Sequence, residues 1–315
     1  MKKPLVIITG PTAVGKTDLS ISLAKKIGGE IISADSMQVY RGLDIGSAKV
    51  TTEEMDGVFH HLIDILDFDE EFNVFLFKEL AEKSIEDIYS RGNIPIICGG
   101  TGFYIQALLY DVSFSKEDNS KIRAELEKRV DNEGAKVLYK ELNEIDPKSA
   151  EIIHPNNVKR IIRALEYFKL NGKLFSEHNE TEKQKESPYN FMYFVIDDDR
   201  ELLYQRINKR VDVMLSKGLV DEVKTLYEKG LRIGMTSAEG IGYKQLLPYL
   251  EGEISLDEAT EKIKQDSRHY AKRQLTWFRR EKETTWVNRA EFDSDQEKML
   301  EFMINKIKEK GIYNE

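Results

Sequence analysis

The chain has 315 residues, 40% of them hydrophobic and 33% charged, with a mean hydropathy of −0.49; this suits a soluble globular protein of about two domains at ~100–200 residues each. The net charge of −9 argues against a chain-wide basic surface for gripping nucleic acid, so charge must be read segment by segment. A single cysteine, Cys98, excludes an internal disulfide and a cysteine-built zinc site, and fits a reducing cytoplasm.

The opening "MKKPLVIITG" turns at Gly10-Pro11, short of the ~7–15 apolar residues of a secretory signal, and no later run reaches the ~18 of a membrane span. A cytoplasmic protein with no membrane partner is therefore expected. "LVIITG" predicts a buried parallel strand. A helix follows from Lys16, with Leu19, Leu23 and Ile27 on one face and Gly28-Gly29 as its stop. "EIISAD" predicts a second strand, ending in Asp35 and Ser36. Residues 73–92 predict a helix capped by Asn73. "IPIICGG" predicts a third strand, with Cys98 as a small buried residue, and residues 100–110 a short helix. Strands alternating with helices imply a parallel α/β sheet with helices on both faces.

From about residue 113 to 187 only helical periodicity is found. Ile122, Leu126 and Val130 form one stripe, and Asp146-Pro147 is a helix start. Val158, Ile161, Ile162 and Leu165 share a face, with Lys159, Arg160 and Arg163 away from it. Residues 176–188 are polar and expected to be mobile. "YNFMYFVID" returns to strand character, and the remainder reads as mostly helical, with a long amphipathic helix over 255–281. The expected organisation is a P-loop α/β core of residues 1–112 and 188–315 interrupted by an all-helical insertion of residues 113–187.

The clearest chemical signal is "GPTAVGKT" at residues 10–17, a complete G-x-x-x-x-G-K-[ST] motif between a strand and a helix. Its glycines let backbone amides approach an anion, Lys16 adds a mobile positive charge, and Thr17 offers a hydroxyl to Mg²⁺. A phosphoryl-transfer enzyme usually adds a strand ending in a metal-binding Asp. Here "IPIICGG" ends in glycines and Thr101, and only "EIISAD" ends in a carboxylate. Asp35 is thus a metal-side residue, a base facing a substrate, or a turn aspartate, and pattern alone does not choose. Polar residues crowd 35–49, just beyond a strand's C-terminal end, where open α/β sheets bind ligands. Arg206 and Arg210 share a helix face suited to clamping a diphosphate. Arg268, Lys272, Arg273, Arg279, Arg280 and Lys282 interleave with Tyr270, Trp277 and Phe278, as on a surface tracking phosphates or on an ordinary amphipathic helix.

Seven segments, "GPTAVGKT", "ADSMQVYRGLDIGSAK", "HHLID", "GGTGFYIQALL", "NNVKRIIRALE", "GIGYKQL" and "AKRQLTWFR", resemble in order those of the tRNA dimethylallyltransferase family, over essentially the whole chain. The resemblance implies transfer of a dimethylallyl group from dimethylallyl diphosphate to N6 of the adenosine 3′ of the anticodon (position 37), with diphosphate leaving and Mg²⁺ assisting. It implies a diphosphate site at Gly10, Thr12, Ala13, Val14, Gly15, Lys16, Thr17 and Arg210, with Arg206 as a lesser match. It implies Asp35 as general base and Thr101 beside the target nucleotide. Asp35, Ser36, Met37, Gln38, Thr101, Arg123, Lys159, Arg160, Ile161, Ile162 and Arg163 match tRNA-contacting positions. The insertion resembles the family's domain that closes on the anticodon arm, and the target base is expected to leave its stack. Some eukaryotic relatives add a zinc finger that a single cysteine cannot build, which points to the bacterial form. A monomer without an obligate protein partner is expected. Whether the loop also takes ATP stays open. The alternative is a nucleotide or small-molecule kinase, which shares the P-loop and the arginines but needs ATP.

Overall fold

The computed structural model describes residues 2–112 and 120–314. The chain divides into two compact units, one of Met1–Leu109 with Pro188–Glu315 and one of Tyr110–Ser187. The expected start of the insertion at residue 113 lies outside the described residues.

The first unit begins with β1 (Lys3–Thr9), whose Leu5, Val6, Ile7 and Ile8 have no exposed surface. Then follow α1 (Lys16–Ile27), β2 (Gly29–Ser33), the two-residue β3 (His60–His61), α2 (Val74–Ser90), β4 (Ile94–Gly99) and α3 (Gly102–Leu109). The second unit carries α4 (Ser120–Glu133), α5 (Ala135–Ile145), α6 (Pro147–Ile152), α7 (Val158–Asn171) and α8 (Phe175–Gln184). The chain returns through β5 (Tyr189–Asp197), α9 (Arg200–Ser216), α10 (Leu219–Glu228), α11 (Tyr243–Leu250), α12 (Leu256–Phe278), β6 (Thr284–Asn288) and α13 (Gln296–Glu309).

The six strands form one parallel sheet in the order β3-β2-β4-β1-β5-β6. A parallel sheet is buried on both faces, which is why its central strands read as continuous apolar runs. β1 lies between β4 and β5, so the sheet winds outward in both directions from it. Ligands bind at such a switch point, outside the strands' C-terminal ends. The turns after β1, β2, β4, β5 and β6 all emerge at that edge.

The second unit has its own core of Leu126, Leu138, Leu142, Ile161, Ile162 and Leu165. Asp146 caps α6, accepting the Ser149 N–H at 3.1 Å, with Pro147 in the first turn. Residues 176–188, expected to be mobile, lie largely in α8 instead. Tertiary anchors override the polar composition: the Ser176 N–H donates to Asp146 Oδ2 at 2.9 Å, and His178 stacks on Tyr167 with centroids 4.7 Å apart. The C-terminal part is also less purely helical than expected. The short β6 pairs with β5 from Tyr193↔Thr284 to Asp197↔Asn288 and takes one edge of the sheet. Cys98 lies on β4 as expected but is only half-buried.

Candidate active site

The P-loop leaves β1 at Gly10, whose φ of 147° few other residues adopt. A Cβ there would stand 2.3 Å from the Ile196 carbonyl oxygen, so β5 presses directly on the loop. Gly15, at φ 93°, opens α1 without a side-chain cap, leaving the helix's positive end to an anion. Lys16 folds back over the loop, its Nζ donating to the carbonyls of Gly10 at 3.1 Å and Pro11 at 2.8 Å. Burial pulls the Lys16 pKa down to about 8, with Arg210 lowering it further and Cys98 and Asp35 opposing. Burial raises the Cys98 thiol, with Ser20 and Lys16 opposing.

The loop's outer side is braced by arginines. Arg206 Nε donates to the Ala13 carbonyl at 3.2 Å, and Arg289 Nη1 to the Val14 carbonyl at 3.3 Å. Both pair with Asp198, a nearly unexposed carboxylate just after β5. Arg206, read from sequence as half of a diphosphate clamp, is thus tied to the protein. Arg210, one turn further along α9, feels the charges of Asp35 and Glu54, which oppose the lowering of its pKa by burial. The Thr12 N–H donates to Gln274 Oε1 at 2.9 Å, which removes it from the amides free to reach a phosphate.

Asp35 stands just beyond β2, with Ser36, Met37 and Gln38 half-buried behind it. Its Oδ1 accepts the N–H of Met37 at 2.8 Å and that of Gln38 at 3.4 Å, an Asx turn. Gln38 Oε1 accepts from Ser33 Oγ at 3.3 Å, and its Nε2 donates to the Ala48 carbonyl at 3.4 Å. Beyond it the segment is pinned from α10. Glu222 accepts the backbone N–H groups of Asp44 at 3.1 Å, Ile45 at 2.7 Å and Gly46 at 3.1 Å, and the Tyr243 hydroxyl at 2.6 Å. Lys49 Nζ donates to the Tyr40 carbonyl at 2.7 Å and to the carboxylates of Asp44 and Asp64 at 2.6 and 2.5 Å.

Thr101 follows β4 and donates its N–H to the Ala34 carbonyl at 3.3 Å, joining the turn after β4 to the one that carries Asp35. The Tyr270 hydroxyl stands beside Thr101 and Gln274, and burial together with Asp35 pushes its pKa up to about 12. Further along α12, Trp277 packs on Gly102 and meets the exposed Phe103 edge-on at 6.2 Å. His269, Lys272, Arg273, Thr276, Trp277 and Arg280 line a groove of about 380 Å³. Beside Trp277, burial pushes the Glu281 carboxyl up to about 7.

The structure thus gathers the P-loop, Asp35, Thr101 and Arg210 at one sheet edge. Arg123 and residues 159–163 belong to the second unit. There Lys159 and Arg160 are exposed, Arg163 pairs with Glu166 at 3.2 Å, and Arg123 with Glu127 at 3.2 Å. Ile161 and Ile162 point into that unit's core. Thr17 is exposed in the first turn of α1, and among the described residues no group of three or more His, Cys, Asp or Glu could hold a metal. Sequence reasoning missed Glu222, Asp198, Gln274 and Arg289. The spacing of Tyr270, Gln274 and Trp277, which puts them on one helix face, was the available signal for Gln274.

The description "IPP transferase" belongs to a family whose pattern matches residues 38–281, and "Isopentenyl transferase" to one matching residues 3–67. A tRNA dimethylallyltransferase of Lachnoclostridium phytofermentans is 55% identical over 311 residues, covering 98% of this chain and 99% of its own. One of Halalkalibacterium halodurans is 48% identical, covering 99% of this chain and all of its own length. The crystal structure of a tRNA delta(2)-isopentenylpyrophosphate transferase from Staphylococcus epidermidis superposes with a TM-score of 0.73 at 48% identity, covering 98% of this chain and 100% of that one. A eukaryotic dimethylallyltransferase acting on tRNA superposes with a TM-score of 0.76 at 31% identity, covering 91% of this chain and 74% of that one.

Proposed function

The chain belongs to the IPP transferase family, the tRNA dimethylallyltransferases, and on that footing we propose how its residues divide the work. It is a transferase that moves a dimethylallyl group from dimethylallyl diphosphate to tRNA, and the kinase alternative is not favoured. The acceptor in our reading is N6 of adenosine 37, 3′ of the anticodon. The observation that carries this reading is that the loop leading to Lys16 follows the C-terminal end of β1, while Asp35 and Thr101 follow those of the neighbouring strands β2 and β4.

The donor's diphosphate lies against the amides at the start of α1, with Lys16 and Arg210 facing its charge. As the C–O bond to the prenyl carbon breaks, charge grows on the leaving oxygens, and preorganised donors there stabilise it. The exocyclic amine is a weak nucleophile, and Asp35 takes its proton as the N–C bond forms. Thr101 and Tyr270 position the base. Thr17 and the diphosphate oxygens would hold Mg²⁺, an ion that keeps few protein ligands beside substrate phosphates and would offset charge on the leaving group.

An anticodon loop is single-stranded, and its bases can be splayed out and read by stacking. The α12 groove offers that chemistry, with Lys272, Arg273 and Arg280 for phosphates and Trp277 for a base. In the second unit, Arg123, Lys159, Arg160 and Arg163 serve phosphates, while Ile161 and Ile162 seat α7 in its core. Local basic surface on an acidic protein favours release as well as capture. The test is to digest tRNA treated with the enzyme and the donor and to locate the added mass. A prenyl group on the nucleotide 3′ of the anticodon supports the reading, and one elsewhere contradicts it.

A further inference from the structure

The donor loop and the acceptor turn leave the neighbouring strands β1 and β4, and one side chain joins them. Gln274 of α12 is 5% exposed. Its Oε1 accepts the Thr12 N–H at 2.9 Å, and its Nε2 donates to the Gly100 carbonyl at 3.0 Å. The fit leaves no spare room: a Cβ on Gly100 would stand 2.1 Å from that Nε2. One turn back on the same helix, Tyr270 stands beside both Thr101 and Gln274. Gln274 therefore touches the P-loop at one end and the Gly100–Thr101 turn at the other.

We propose that Gln274 is a positioning residue that sets the separation between the prenyl donor and the acceptor base. This rests on the reading of the P-loop as the donor site and of Thr101 as an acceptor-side residue. An amide suits the place because one end must accept and the other donate. A carboxylate would present an acceptor to the Gly100 carbonyl, and a thioether would satisfy neither partner. Transfer requires the prenyl carbon and N6 to meet at near-attack distance, where an error of about 1 Å can cost ~100-fold. Each substrate can still bind its own half of the site when the two halves drift, so loss of the bridge strikes turnover rather than binding.

The test is steady-state transfer by Gln274→Met, with dimethylallyl diphosphate and tRNA varied in turn. The expected result is a fall in kcat of roughly 10–100-fold with both KM values within about threefold of wild type. A merely structural role would lower melting temperature and active-site titre, leaving kcat per active site intact. Either that outcome, or a rise in one KM at unchanged kcat, overturns the proposal. If Gln274→Met does not fold, Gly100→Ala displaces the amide from the other side and should give the same kcat-specific loss; unchanged turnover there overturns the proposal. Wild-type enzyme in the same assay separates the two levels. Failure of wild type to prenylate tRNA defeats the underlying reading, whereas normal wild-type turnover with an indifferent variant defeats only the role of Gln274.

Discussion

Oδ1 of Asp35 accepts the backbone N–H of Met37 at 2.8 Å, while among the described residues Oδ2 of the same carboxylate has no hydrogen-bond partner. One oxygen builds the turn and the other is unengaged, so the turn geometry is compatible with the proposed role of Asp35 as general base. Asp35→Asn keeps the oxygen that makes the turn and removes the basicity. We expect kcat to fall by roughly 10²–10⁴-fold with the KM for tRNA little changed. Turnover near that of wild type would contradict the role of Asp35 as base.

Lys16 gives a pH signature. Its pKa is lowered to about 8 by burial, so in the free enzyme the ammonium is charged below that pH and neutral above it. In the proposed reading, donor binding uses that charge. The kcat/KM for dimethylallyl diphosphate should therefore fall as pH rises through about 8, and Lys16→Ala should bind the donor weakly at every pH. A flat profile across that pH, or donor affinity intact in Lys16→Ala, counts against the loop as the donor cradle.

Glu222 should matter to tRNA more than to the donor. Its carboxylate receives N–H groups from Asp44, Ile45 and Gly46, in the segment that carries Met37 and Gln38. Glu222→Gln turns an amide NH₂ toward those donors, at about 1–3 kcal/mol for each buried group left unmet. The expected outcome is a KM for tRNA raised about 3–10-fold with the KM for the donor unchanged. Equal rises in both would mean that the segment does not read the acceptor.

Salt dependence tests the α12 groove. Lys272, Arg273 and Arg280 line it, and removing each side chain that neutralises a phosphate should reduce the salt slope of single-stranded binding by about 0.7. Alanine at all three should weaken tRNA binding most at low salt and leave donor affinity unchanged. A variant with the wild-type slope would place the anticodon arm elsewhere.

Much of the fold was legible because its signals are local. The β1 to α1 junction is a contiguous motif, and the buried strands are unbroken apolar runs. β6 was missed because five residues at a sheet edge carry little pattern and gain their place only by pairing with β5. The helix α8 was missed because its anchors, Asp146 and Tyr167, lie in other elements. The site divides the same way. Asp35 and Thr101 sit just beyond strand ends that the sequence marks, and Lys16 at the helix start of a contiguous motif. Gln274 meets Thr12 across 262 positions and Glu222 meets Ile45 across 177, separations that no local pattern encodes. Arg206 shows the converse: its spacing from Arg210 suggested a clamp, but its partner Asp198 comes beside it at the end of β5.

The most direct measurement is transfer without ATP. Purified enzyme, Mg²⁺, dimethylallyl diphosphate and unmodified tRNA are incubated, and the product nucleosides are read by mass spectrometry. The expected products are N6-dimethylallyladenosine and one diphosphate per prenyl group, with no requirement for a nucleoside triphosphate. No prenylated adenosine, together with ATP hydrolysed or its phosphate transferred when a nucleotide is added, would contradict this expectation.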